Sequence, residues 1–91
     1  MKLAAHTLVK NEGRFVWYSV MSAAPFVDKV YLWDTGSTDS TTAILKELKS
    51  ALVDKMDLRF LNEVDIYAFS KVRQKMLDET REDWFIMLDA D

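Results

Sequence analysis

The chain has 91 residues, 49% of them hydrophobic and 30% charged, with a net charge of −3 and no cysteine. That is room for one small domain with a single core. The acidic balance gives no electrostatic case for nucleic acid or an anionic membrane as partner, and the lack of cysteine excludes disulfides and thiolate metal sites. No apolar run approaches the roughly 20 residues of a membrane helix. The opening MKLAAHTLV carries His6 and offers no small-residue cleavage site, so it is read as a strand and the chain as cytoplasmic.

In chain order, residues 3–9 (LAAHTLV) form a first strand and residues 13–24 a helix that must stop at Pro25, because the residue before proline is pushed out of the α region. Residues 29–33 (KVYLW), β-branched and aromatic, form a second strand, and TGST at 35–38 is a turn. A second helix runs from about 39 to 53, with Ile44, Leu45, Leu48 and Leu52 at helical spacing and Asp39 in its first turn, where a carboxylate suits the helix dipole. DLRFL at 57–61 alternates in polarity and belongs near a sheet edge. A third helix follows Ser70 as N-cap, with Val72, Met76 and Leu77 inward. WFIML at 84–88 is the fourth strand. The order βαβαβαβ predicts an α/β domain with a mainly parallel four-stranded sheet and helices on its faces. Strands one, two and four read as runs buried on both faces.

Ligands of open α/β sheets bind outside the carboxyl ends of the strands. Here those ends carry Lys10, Asn11 and Glu12, then Asp34, then Asn62 and Glu63, then Asp89 and Asp91. If extended geometry persists through Asp-Ala-Asp, Asp89 and Asp91 point to one side, roughly 6–7 Å apart at Cα. Two carboxylates so close repel, and a hard divalent cation with oxygen ligands answers that repulsion while leaving positions open for phosphate oxygens. Only two glycines occur, Gly13 and Gly36, neither in a glycine-rich phosphate loop, so a metal would have to take that charge. Lys71, Arg73 and Lys75 crowd the start of the third helix. Arg73, about one turn in, can turn toward the acidic rim or a bound anion.

The ordered stretches LVKNEG, VYLWDTGSTDST, FSKVRQKML and DWFIMLDAD resemble the N-terminal, nucleotide-binding half of a family 2 glycosyltransferase of the GT-A fold, a Rossmann-like half-domain. The resemblance covers essentially the whole chain. It implies a single nucleotide-sugar-binding domain over 1–91, part of a longer enzyme that transfers a sugar from a nucleoside-diphosphate sugar, a UDP-sugar in preference, to an unidentified acceptor. It implies that Asp34 and Thr35 take the base, that Val9, Asn11 and Glu12 wall the same pocket, and that Arg73 lies by the nucleotide. Asp89 would reach the ribose or the water shell of the metal, and Asp91 would ligate Mn2+ or Mg2+ on the diphosphate. Ser40 and Gln74 stand where the family has glycine and asparagine, and the catalytic base of the family lies beyond its Asp-x-Asp.

The competing reading is a truncated, non-catalytic module of the same fold that binds nucleotide or serves structure. A phosphoacceptor receiver domain would need an acidic pair after strand one, an Asp after strand three and a Lys after a fifth strand; a haloacid-type phosphatase carries its Asp-x-Asp on an early strand. His6, Trp17, Trp33, Trp84 and the methionines are read as packing, and Asp78, Glu79, Glu82 and Asp83 as a solvated turn. With only three helices to cover four strands, the isolated chain is expected to expose apolar surface and to self-associate.

Overall fold

The structure, a computed structural model, describes residues 2–11, 13–36, 41–61 and 69–88. The elements are β1 (Leu3–Val9), α1 (Gly13–Ala23), β2 (Lys29–Asp34), α2 (Thr41–Ala51), β3 (Met56–Phe60), α3 (Phe69–Glu79) and β4 (Trp84–Met87). The expected βαβαβαβ order is observed, and all strand pairs are parallel, in the order β3-β2-β1-β4. Proline acts one residue earlier than expected: α1 ends at Ala23, and Pro25 sits in a 3-10 turn, Ala24–Phe26, where its missing amide costs nothing. Strand β2 runs one residue further than expected, to Asp34. The placement of Asp39 in a helical first turn lies outside the described residues.

Strand alternation sorts the side chains into two cores. On one face Ala5, Val9, Val30, Leu32 and Met56 meet Val16 and Val20 of α1 and Leu45 and Leu48 of α2. The pairs at i, i+3 and i+4 explain why these segments are helices: each buries one stripe. Leu45 and Leu48, fully buried, contribute about 1.5–3 kcal/mol each. On the other face Ala4, Tyr31 and Trp33 pack against Met76 of α3, with Leu8, Leu61 and Val72 around them. Two helices thus cover one face and α3 alone covers the other.

Five expectations are corrected by the fold. Strand β4 is not buried on both faces: among the described residues it is an edge strand whose one neighbour is β1, and Trp84, Phe85, Ile86 and Met87 are all exposed. Trp84 and Met87 are therefore not core anchors, and Met21 is exposed as well. Ser70 is not an N-cap, because α3 starts at Phe69, and Leu77 is exposed while Met76 is buried, since α3 turns the Val72–Met76 stripe toward Trp33. The acids at the end of α3 and in the turn beyond it are fastened, not merely solvated: Asp78 accepts from Gln74, Glu79 from Arg59, Glu82 from the Tyr31 hydroxyl and Asp83 from the Lys2 amide. A turn that returns the chain to β1 needs such tethers, because it has no apolar stripe of its own. The edge position expected of the third strand is observed.

His6 is packed, as expected. Its ring stacks on Phe85 at 4.6 Å and meets Tyr31 edge-on at 5.5 Å. The Thr80 hydroxyl donates to the Met76 carbonyl at 2.7 Å, so it accepts from His6, which fixes the proton on Nε2. Burial lowers the pKa of His6 below 6.5, partly opposed by the charge of Glu82. A histidine with a lowered folded pKa binds its proton more weakly folded than unfolded. Its contribution is intact above the unfolded value of 6.5 and is lost as pH falls through the interval below it. Urea midpoints should therefore fall between pH 7 and pH 5.5 in the wild type and stay flatter in His6→Gln. An unchanged slope in the variant would assign the loss to other groups.

Candidate functional site

In a parallel sheet all carboxyl ends share one edge, and here that edge is built on the junction of β1 and β2. The Val9 carbonyl accepts the Thr35 amide at 2.8 Å and the Thr35 hydroxyl at 3.1 Å. The adjacent Asp34 accepts the Gly36 amide on Oδ1 at 2.8 Å, and its carbonyl accepts the Leu61 amide from beyond β3. This is an Asp-initiated turn in which the side chain takes the place of a backbone acceptor. Gly36 has φ 114°, a region that favours glycine, which explains the glycine two residues after the acid. Asp34 and Thr35 are each 1% exposed. Asn11, at the end of β1, is the non-glycine residue with positive φ (55°) among the described residues, a conformation asparagine tolerates well.

Of the residues singled out from sequence, Val9, Asp34 and Thr35 are thus brought together in one bonded unit, with Asn11 two residues past Val9. Arg73 is not beside them. By strand alternation Asp34 follows Val30 and Leu32 onto the α1/α2 face, whereas Arg73 stands on α3, over the opposite face. Its Nη1 lies 3.8 Å from Sδ of Met87 on β4, and β1 separates β4 from β2. There Arg73 joins Ser70 and Gln74 on the rim of a cavity of about 300 Å³ floored by His6, Phe85 and Met87. Arg73 and Asp34 therefore share the carboxyl edge from opposite faces. Gln74 is engaged within its helix by Asp78, four residues on.

Glu12, Asp89 and Asp91 lie outside the described residues, as do Asn62 and Glu63. Among the described residues no three His, Asp or Glu side chains form a metal-binding group. Among them, too, no helix is long and apolar enough to cross a membrane. The sequence reading missed Gly36, whose amide donates to the Asp34 carboxylate; its signal was its position two residues after an acid that ends a strand.

The sequence model of the family described as glycosyl transferase family 2 matches residues 7–91. A curated protein of Rickettsia felis named an uncharacterized glycosyltransferase is 30% identical over 92 aligned residues, covering 99% of this chain. The chain spans 29% of the length of that relative.

Proposed function

The chain belongs to glycosyl transferase family 2, and from that membership we propose that it supplies the nucleotide-binding part of a metal-dependent transferase. The donor is a nucleoside-diphosphate sugar, a UDP-sugar in preference, and the sugar passes to an acceptor. The observation that carries this reading is the Val9–Asp34–Thr35–Gly36 unit, a buried carboxylate fixed at the carboxyl edge of a parallel sheet. Asp34 and Thr35 take the base edge by hydrogen bonds, and Val9, Asn11 and Glu12 wall the pocket. Because Asp34 is nearly closed to solvent, base contact requires local opening at that edge. Arg73, on the far face of the sheet, meets the anionic end of the ligand where the ligand crosses the edge.

The donor chemistry fits a hard cation: the chain offers carboxylates and no thiolate, and Asp89 and Asp91 come shortly after β4 in the sequence. Asp91 would ligate Mn2+ or Mg2+, with Asp89 on the ribose or on the water shell of the ion. When bound, the cation supplies Lewis-acid stabilisation of the departing nucleoside diphosphate. The free β4 edge, with its exposed Trp84, Phe85, Ile86 and Met87, supports self-association of the isolated chain.

Calorimetric titration with UDP, GDP and pyrophosphate, each with and without Mn2+, tests the reading. UDP should bind only with Mn2+. Asp34→Asn should weaken UDP roughly 10- to 100-fold, the worth of a hydrogen bond to a charged group, and leave pyrophosphate unchanged. Binding indifferent to Mn2+ and to Asp91→Ala would remove the metal role, and equal losses for UDP and pyrophosphate would remove the base role.

A further inference from the structure

Helix α3 carries Arg73 near its start, and its second half is fastened to the sheet at three points. Met76 is buried against Trp33 and Tyr31, Thr80 just beyond the helix bonds His6, and Glu79 is gripped by Arg59 of β3. The grip is a two-point fork: Nη1 donates to one Glu79 oxygen at 2.9 Å and Nη2 to the other at 2.6 Å. The same guanidinium is fixed from below. Nε and Nη2 donate to Asp57 at 3.1 and 3.3 Å, and the guanidinium carbon lies 4.5 Å from the ring centroid of Trp33. Trp33 is the residue before Asp34, so one arginine touches the strand that ends in the candidate base-binding acid and the helix that bears the candidate phosphate-side arginine.

We propose that Arg59 is a positioning residue: clamped between Asp57 and Glu79 over Trp33, it sets the tilt of α3 and thereby the place of Arg73 at the carboxyl edge. This rests on the nucleotide-binding reading above. The lever is short but sufficient. Arg73 is three residues from Met76, about 4.5 Å along the axis. A tilt of about 10° about Met76 moves its Cα by roughly 0.8 Å and its guanidinium further, and a misplacement of about 1 Å in a positioned group can cost about 100-fold in rate. The clamp is half-exposed, so solvent screens its attraction, and its worth to global stability is small. Its worth lies in direction, because the planar fork fixes an angle that a lysine ammonium cannot.

The test compares Glu79→Gln, Arg59→Lys and the charge exchange Arg59→Glu/Glu79→Arg in the 91-residue chain, with two readouts. In hydrogen exchange, the α3 amides from Arg73 to Glu79 should lose about tenfold protection in both single variants, while β1 and β2 keep theirs. The exchange should not restore protection, because it sets a second carboxylate beside Asp57 and takes the cation from Trp33; full restoration would count against the three-sided clamp. In titrations with UDP and Mn2+, Glu79→Gln should bind about tenfold more weakly in the wild-type background and no more weakly in an Arg73→Ala background, since residues acting through one another are not additive. Unchanged α3 protection would overturn the proposal, and so would a full additional loss in the Arg73→Ala background. If the wild type binds no UDP, the nucleotide reading fails while the exchange data still decide whether Arg59 fixes α3.

Discussion

Replacing Trp33 with alanine is expected to lower the melting temperature by roughly 15–35 °C. Trp33 is 1% exposed and is the largest fully buried side chain among the described residues. It fills the space between β2 and α3 against Met76, Tyr31 and Ala4, and supports the Arg59 guanidinium. Truncating such a residue costs about 3–5 kcal/mol, because the transfer free energy of the ring is lost and a cavity remains. A domain of this size is stable by only about 5–15 kcal/mol, and each kcal/mol moves its midpoint by roughly 4–8 °C. Trp84→Ala should shift it by less than about 5 °C, since Trp84 is 61% exposed on the edge strand. Thermal melts of the two variants side by side decide the matter. Equal losses would mean that β4 is covered in solution, through the self-association proposed for the isolated chain.

The two tryptophans also show where sequence reading stops. Both sit in short apolar runs, KVYLW and WFIML, and nothing within either run distinguishes a central strand from an edge. The difference is made by α3, which carries the chain from β3 at one edge, across the face of β2 and β1, to the other edge at β4. A helix of the same length and stripe would serve a short crossover as well, so the order of strands is not written in its pattern. What is local was legible: Pro25 stops α1, the Leu45–Leu48 stripe makes α2 amphipathic, and β3 alternates as an edge strand does. The site divides in the same way. That Asp34 and Trp33 face opposite sides follows from strand alternation alone. That α3, and with it Arg73, lies on the Trp33 side depends on the crossover, and only the fold reveals it. The acids Glu79, Glu82 and Asp83 misled for a related reason, because their partners Arg59, Tyr31 and the Lys2 amide are distant in sequence and a solvated turn has the same composition.

The second large effect concerns metal. Asp91→Asn is expected to leave the melting temperature unchanged or slightly raised without metal, and to abolish the rise that Mn2+ and UDP together produce in the wild type. Without a cation, two carboxylates separated by one residue in the sequence repel by under about 1 kcal/mol in water, so removing one charge relieves a small repulsion. A ligand that binds only the folded chain stabilises it by mass action, about 2.7 kcal/mol at one hundred times its dissociation constant. For this chain length that is roughly 10–20 °C. The amide is nearly isosteric with the carboxylate but lacks the charge a hard cation needs, so the rise should vanish while the fold persists. Asp34→Asn should behave differently, keeping part of the rise through the diphosphate and metal while losing the share that comes from the base. A variant at Asp91 that melts well below wild type without metal would make that acid a structural partner. One that keeps the full rise would place the cation on other ligands, and the assignment of Asp91 to the metal would then be withdrawn.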